Sequence, residues 1–373
     1  MNRISQPSAA DFAALAEQFS IHGRYVEAAP HGSGHINDTF AVVVDQAGTR
    51  VRYILQRIND RIFKDVAGLM DNIRRVTAHA AARVSGDDAS RRALGLVPSR
   101  DGRAFVRDAS GAAWRCYLFI EGAQTYDIVE NPRQAYEAAR AFGGFQRLLA
   151  DLPGGRLKET IPHFHDTPAR LENLKRAIAN NTAGRAASVQ AEIDFALARE
   201  PATKVLQQLK AAGEIPERVT HNDTKFNNVM LDNATGRAVC VIDLDTVMPG
   251  LALDDFGDMV RSATNSAAED ETDLSRVTMR MPVYEQLVAG FLAGTADMLN
   301  AAERAHLAFA GKLITFEIGI RFLSDHLDGD IYFKIKRPNH NLDRARNQFA
   351  LVQSIERQEH AMEAIVEKVA ETV

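Results

Sequence analysis

Polar and apolar residues alternate along two paired stretches in the first third of the chain. Residues 39–45 and 50–58 read as strands, and Gln46-Ala47-Gly48 between them reads as a hairpin turn. Residues 103–107 and 113–120 flank Ala109-Ser110-Gly111 and read as a second hairpin. Between the hairpins the period changes. Leu69, Ile73, Val76 and Ala80 recur at helical spacing within residues 66–84. Ahead of the first hairpin, Phe12, Leu15, Ala16 and Phe19 share one face of a short amphipathic helix over residues 8–20. Ser8 can cap it, and Asp11 sits in its first turn. The pattern predicts a small antiparallel sheet with one helix laid against it, ended by Glu121-Gly122.

From Asn131 onward the spacing is mainly helical. Pro132 suits a first helical turn, and Ala139, Phe142, Phe145 and Leu149 line one side of the segment that follows. Further helices are expected at 168–180, 185–199, 201–211, 282–298, 301–326 and 341–370. Two short strands, near 229–231 and 238–242, interrupt this half, with Thr235-Gly236 as the turn between them. Residues 264–275 are the least structured stretch. Their acids Glu269, Asp270, Glu271 and Asp273 read as a solvated surface loop. These elements divide the chain into a smaller lobe, residues 1–121, and a mainly helical lobe, residues 122–373.

A chain of 373 residues can build two cores. Its 46% hydrophobic and 25% charged residues are ordinary for a globular enzyme. The net charge of −5 argues against nucleic acid as the main partner, because binding a phosphate backbone favours a basic face. Cys116 and Cys240 both sit in apolar runs and read as buried free thiols. Residues 1–10 lack signal-peptide grammar, and no apolar run is long enough to span a bilayer. A cytoplasmic location is the expectation.

The candidate chemistry lies in Val219-Thr220-His221-Asn222-Asp223-Thr224-Lys225-Phe226-Asn227-Asn228-Val229-Met230, followed by Ala238-Val239-Cys240-Val241-Ile242-Asp243. A His-x-Asp loop, an Asn five residues on, then a β-rich run ending in Asp is the catalytic half of a kinase. Phosphoryl transfer needs a carboxylate to orient the attacking hydroxyl and oxygen ligands to hold Mg²⁺ on the phosphates. Asp223 fits the first role, and Asn228 and Asp243 fit the second. Lys225 can offset charge on the transferring group. Asp245 falls on the same side as Asp243 if the strand continues, where it can hold a substrate hydroxyl. Asp254 and Asp255 read as helix-capping acids, with bracing of the catalytic loop as the other role.

The small lobe should hold the nucleotide. Gly32, Ser33, Gly34 and His35 directly precede a strand, where a glycine loop can present N–H groups to phosphate. On the third strand, Gln56 stands where a Lys is usual, with Arg57 on the opposite face. Residues 61–84 contain no Glu to complete the usual Lys–Glu pair. Either Gln56 acts as a weaker phosphate donor, or Arg57 or another basic neighbour supplies the charge. Farther on, residues 313–323 are apolar in most directions, yet Glu317, Arg321 and Asp325 form one charged ridge. That ridge makes either an internal salt bridge or a substrate contact through Arg321.

These motifs resemble the aminoglycoside phosphotransferase-like kinases, a branch of the protein-kinase-like fold, over nearly the whole chain. Within that group the chain looks most like N-acetylhexosamine 1-kinases. The resemblance rests on residues 31–40, the His221–Lys225 loop with Asn227-Asn228-Val229, residues 241–250, and the stretch from Arg321 through Tyr332-Phe333-Lys334-Ile335. Members with other acceptors carry Gly after the loop His and a His two after the Asp; this chain has Asn222 and Lys225. The resemblance implies a two-lobed α+β fold with ATP between the lobes, Mg²⁺, and transfer to the anomeric hydroxyl of N-acetylglucosamine or N-acetylgalactosamine. It also implies that the region of Arg321 lines the acceptor pocket.

Two other readings stay open. An amino-alcohol or aminoglycoside acceptor would call for an acidic, aromatic-lined pocket, and the single Trp, Trp114, lies in the small lobe. A nucleotide-binding pseudokinase is suggested by Gln56 and the missing Glu, and opposed by intact Asp223, Asn228 and Asp243.

Overall fold

A computed structural model describes residues 7–32 and 36–372. The chain forms two compact units. Unit 1 comprises Met1–Ala123, Asp151–Ile161 and Val239–Val247; unit 2 comprises Gln124–Ala150, Pro162–Ala238 and Met248–Val373.

Unit 1 opens on α1 (Ala9–Gln18). Ser8 and Asp11 form a reciprocal capping box that satisfies two free N–H groups at its start. Phe12, Leu15 and Ala16 turn inward, and the Phe12 ring meets Phe40 and Trp114 edge-on at 4.8 and 6.3 Å. Burying a side chain of this size contributes about 1.5–3 kcal/mol, which fixes a helix too short to persist alone. The sheet uses β1 (Arg24–Pro30), β2 (Asp38–Gln46) and β3 (Thr49–Arg57). After α2 (Val66–Ala81) and α3 (Ala89–Arg92) come β4 (Leu96–Val97), β5 (Val106–Arg107) and β6 (Ala113–Leu118). Their order is β1-β2-β3-β6-β4, with β5 also on β6, and every pairing is antiparallel.

The expected hairpins and α2 are present. The β2–β3 turn places Ala47 and Gly48 at φ 54° and 91°, the left-handed pair that a two-residue hairpin demands. β1 and β4 extend the sheet beyond expectation. β1 ends in Pro30 and carries a register shift at Tyr25/Glu27, both features that suit an edge strand. Asn72 on α2 is fully buried. It donates to the carbonyls of Lys158 and Val247 at 2.7 and 3.2 Å and accepts from Lys158 N–H at 3.0 Å, stitching three chain segments together.

After β6 the chain continues through β7 (Ala123–Gln124), α4 (Pro132–Leu148), α5 (Thr167–Asn180), α6 (Gln190–Leu197), α7 (Glu200–Thr203) and α8 (Val205–Ala211). Next come β8 (Arg218–Thr220), β9 (Val229–Asp232), β10 (Ala238–Val241) and β11 (Met248–Gly250). The chain ends in α9 (Ala252–Thr264), α10 (Met281–Thr295), α11 (Ala301–Ala305), α12 (Leu307–Asp328) and α13 (His340–Ala370). In unit 2, Leu174, Phe316, Ile320, Leu323, Phe349 and Val352 centre a core shared by α5, α12 and α13. Helices α4 and α10 touch backbone to backbone. A Cβ at Gly290 would lie 2.2 Å from the Tyr136 carbonyl oxygen, so only glycine fits.

Two expectations need correction. The helix expected at 301–326 breaks at His306, whose Nδ1 bonds back to the Ala302 carbonyl and closes α11. The segment 201–211 breaks at Lys204. The acidic stretch after Thr264 is largely exposed, as expected, and its acids are also tethered: Glu269 meets Arg261 at 3.0 Å, Asp270 meets His340 at 3.0 Å, and Glu271 meets Arg276 at 2.6 Å. Cys116 and Cys240 are buried free thiols, as expected. No helix among the described residues is long and apolar enough to cross a membrane.

Candidate active site

In unit 2 the catalytic loop hangs between β8 and β9. Thr220 pairs with Met248 across β8 and β11, which anchors the loop's entry. Asn222 then adopts φ 65°, a left-handed conformation that Asn tolerates better than most residues and that glycine takes freely. Its side chain stabilises the turn by accepting from Thr220 Oγ1 at 3.0 Å. The buried Asp255 carboxylate accepts the N–H groups of His221 and Asn222 at 2.9 and 2.6 Å. Asp255 thus braces the loop from α9. Asp254 takes the capping role, accepting from Leu251 N–H at 3.3 Å.

Asp223 presents its carboxylate to two partners. Lys225 Nζ lies 2.8 Å from Oδ1, and Asn228 Nδ2 lies 3.2 Å from Oδ2 and 2.8 Å from the Asp223 carbonyl oxygen. Burial opposes the charge on Asp223, but the Lys225 ammonium prevails and holds the carboxyl below its ordinary range. Asn228 spends its N–H groups on Asp223. Among the described residues its Oδ1 has no partner, so it is available to a hard cation.

Behind the loop lies a buried ion pair. His165 Nδ1 faces Glu317 Oε1 at 2.9 Å, and His165 Nε2 faces the Asn222 carbonyl oxygen at 2.9 Å. Thr167 donates to the other Glu317 oxygen at 2.6 Å. Burial works against the imidazolium, yet Glu317 raises His165 to about 9. Among the described residues, Arg321 makes no salt bridge with Glu317 or Asp325. Asp325 instead accepts the N–H groups of Ile331, Tyr332 and Phe333 at 2.9, 2.7 and 2.9 Å.

Arg321 is left with its guanidinium between two rings, 5.6 Å from the centroids of both Phe164 and Phe333. It has no hydrogen-bond partner among the described residues. It lines a cavity of about 430 Å³ together with Arg170, Arg176, Asp325, Tyr332 and Phe333. Phe164 packs on Arg321, and its neighbour His165 bonds the catalytic loop, so cavity wall and loop share one support.

In unit 1 the segment bearing Asp243 departs from expectation. β10 ends at Val241, Asp243 takes φ 60° and ψ 60°, and residues 244–246 form a 3₁₀ turn. The strand does not continue to Asp245. That buried carboxylate is instead engaged on Oδ1 by Arg115 and on Oδ2 by Asn37. Gln56 donates to Thr39 Oγ1 at 2.8 Å and accepts from Arg115 Nε at 2.9 Å. Arg57, on the other face, pairs with Asp38. The basic residue that meets Gln56 is Arg115, an interior residue of β6 exposed to only 1%. Nothing in its local pattern marks it, because its partner, Asp245, is 130 residues away. Gly32 has φ 75°, a turn conformation suited to glycine. Ser33, Gly34 and His35 lie outside the described residues. Among the described residues, no cluster of three or more His, Cys, Asp or Glu forms a ready-made metal cage.

A family model described as the phosphotransferase enzyme family matches residues 27–294, and the chain belongs to that family. Its fold is protein-kinase-like, an antiparallel-sheet N-terminal region followed by a mainly helical C-terminal region. Similar solved structures include an aminoglycoside phosphotransferase from Alicyclobacillus acidocaldarius, at TM-score 0.61 and 13% identity over 100% of this chain and 99% of that one. A choline kinase from Cryptosporidium parvum matches at TM-score 0.56 and 13% identity, over 95% and 98% of the two chains. A spectinomycin phosphotransferase in complex with ADP and spectinomycin matches at TM-score 0.50 and 12% identity, over 93% and 100%.

Proposed function

We propose that this phosphotransferase moves the γ-phosphoryl group of ATP to the anomeric hydroxyl of an N-acetylhexosamine, giving the sugar 1-phosphate. Arg321 carries the acceptor reading. A guanidinium held between aromatic rings offers forked donors to sugar hydroxyls or an acetamide oxygen. The cavity around it holds three arginines against Asp325 and Asp328, and Asp325 is already occupied by main-chain N–H groups. Such a cavity repels a quaternary ammonium or a polyamine and suits a neutral sugar. The solved neighbours include a choline kinase and a spectinomycin phosphotransferase, so cationic acceptors are the rival to test.

In this reading Asp223 accepts the acceptor hydroxyl's proton. Its depressed affinity for protons makes it first an orienting group, which a loose phosphoryl-transfer transition state requires more than a strong base. Lys225 neutralises Asp223 at rest and can swing its ammonium toward the transferring group. Gly32, Ser33, Gly34 and His35 would offer N–H groups to phosphate, with Gln56 as the donor from the third strand. Asn228 and Asp243 are the residues assigned to Mg²⁺, which when bound neutralises phosphate charge. In this reading Asp245 makes no acceptor contact, because its carboxylate is buried and already bonded to Arg115 and Asn37.

The test is ADP release across N-acetylglucosamine, N-acetylgalactosamine, the methyl glycosides of both, choline and buffer. Release with the free sugars and none with the glycosides, which lack the anomeric hydroxyl, supports the reading. Turnover with choline alone, or equal release in buffer, removes it.

A further inference from the structure

The Asn222 carbonyl receives a bond for which the chemistry above has no use. Both ring nitrogens of His165 face acceptors, Glu317 on one side and Asn222 on the other. Both must therefore carry protons to bond, and the ring is an imidazolium. The pair is almost fully shielded, with side-chain exposures of 4% for His165 and 0% for Glu317. A buried pair of this kind is costly to assemble and survives only with good geometry and satisfied lone pairs. Thr167 supplies that satisfaction at the second Glu317 oxygen.

The bond's location suggests its use. The accepting carbonyl belongs to the peptide that joins Asn222 to Asp223. The N–H of Asn222 is held by Asp255 on α9, and its carbonyl by His165 just ahead of α5. With both ends fixed, the left-handed turn at Asn222 cannot rotate, and the Asp223 carboxylate keeps one direction. We propose that His165, charged and aimed by Glu317, is a positioning residue for Asp223, acting only through the Asn222 carbonyl. The proposal rests on the assignment of Asp223 as the group that orients the hydroxyl. It also connects the cavity to the chemistry, since Glu317 stands one helical turn before Arg321 and Phe164 packs on Arg321.

Four variants test it: His165→Leu, His165→Gln, Glu317→Gln and Asp223→Asn. Each is assayed for kcat and both KM values per enzyme molecule that binds ADP, counted by calorimetry. His165→Leu deletes the donor and is expected to lower kcat by about tenfold to hundredfold, the scale of a small misplacement of a reacting group, with the ATP KM unchanged. His165→Gln places an amide N–H near the former Nε2 and should recover most of the loss. Glu317→Gln removes the carboxylate that holds the imidazolium, so its kcat should fall in the same direction as in His165→Leu, with the ATP KM unchanged. An ADP-binding His165→Leu enzyme with wild-type kcat overturns the proposal, as does a His165→Gln variant no better than His165→Leu. If His165→Leu does not fold, Glu317→Gln decides, and a folded variant with wild-type kcat overturns the role. Near-normal turnover by Asp223→Asn would instead defeat the underlying assignment.

Discussion

Arg115 on β6 lies directly across from Gln56 on β3, and its Nε donates to the Gln56 side-chain Oε1 at 2.9 Å. The other end of the guanidinium pairs with Asp245. A cation is thus already installed beside the position where a third-strand Lys is usual. Gln56→Lys would set a second positive charge against the buried Arg115. We expect a lower melting temperature and unchanged or weaker catalysis. A large gain in kcat/KM would show that the site lacks a cation. Arg115→Met should be more damaging, costing about 3–5 kcal/mol, because it strands the buried Asp245 charge.

Asp223→Asn should abolish most turnover while leaving sugar and ATP affinities nearly intact. The amide keeps the shape of the side chain and loses its capacity to take the proton. Turnover within a few-fold of wild type, measured with saturating substrates, would remove Asp223 from this role.

Asp243→Ala should eliminate the Mg²⁺ dependence of nucleotide binding. The carboxylate is exposed on a left-handed turn and is the charged member of the proposed ligand set. Calorimetric ATP titrations with and without Mg²⁺ check this, and an undiminished Mg²⁺ effect in the variant would place the ion elsewhere.

Arg321→Ala should raise the sugar KM by about tenfold to hundredfold, the loss of roughly 1.5–3 kcal/mol of charge-assisted hydrogen bonding. The ATP KM should hardly change. Because Arg321 makes no ion pair with Glu317 or Asp325 among the described residues, the melting temperature should fall only by the lost stacking on Phe164 and Phe333. A destabilised enzyme with a normal sugar KM would remove Arg321 from the acceptor site.

The His165–Glu317 pair also predicts a pH dependence of stability. Burial disfavours the imidazolium, but Glu317 dominates, and the folded value rises to about 9, against about 6.5 unfolded. The stabilisation is fully present below about pH 6.5 and is lost as pH climbs through about 9, on the order of 3 kcal/mol in all. Asp254, raised to about 7 by burial with Glu317 adding to it, acts with the same sign at lower pH. Urea midpoints measured across the alkaline range isolate His165. Wild type should weaken steadily there, and His165→Gln should show little slope.

Much of the molecule is legible in its residues. The capping box at Ser8 and Asp11, the hairpins, α2 and the long α13 follow from local periodicity and turn chemistry, which act over a few neighbouring positions. The loop containing Asp223, Lys225 and Asn228 is readable for the same reason, since its spacing is local. The short strands β4, β8 and β11 are not, because two or three residues carry no period.

What the tertiary structure alone decides is which charges meet. Glu317, Arg321 and Asp325 make one ridge on paper, yet the fold sends Glu317 to His165 and Asp325 to the main chain, leaving Arg321 over the cavity. Arg115 and His165 look like ordinary residues until Asp245 and Asn222 are brought to them. A buried charge survives only with a partner, and the sequence can name the charge, but the partner is chosen by packing between segments far apart in the chain.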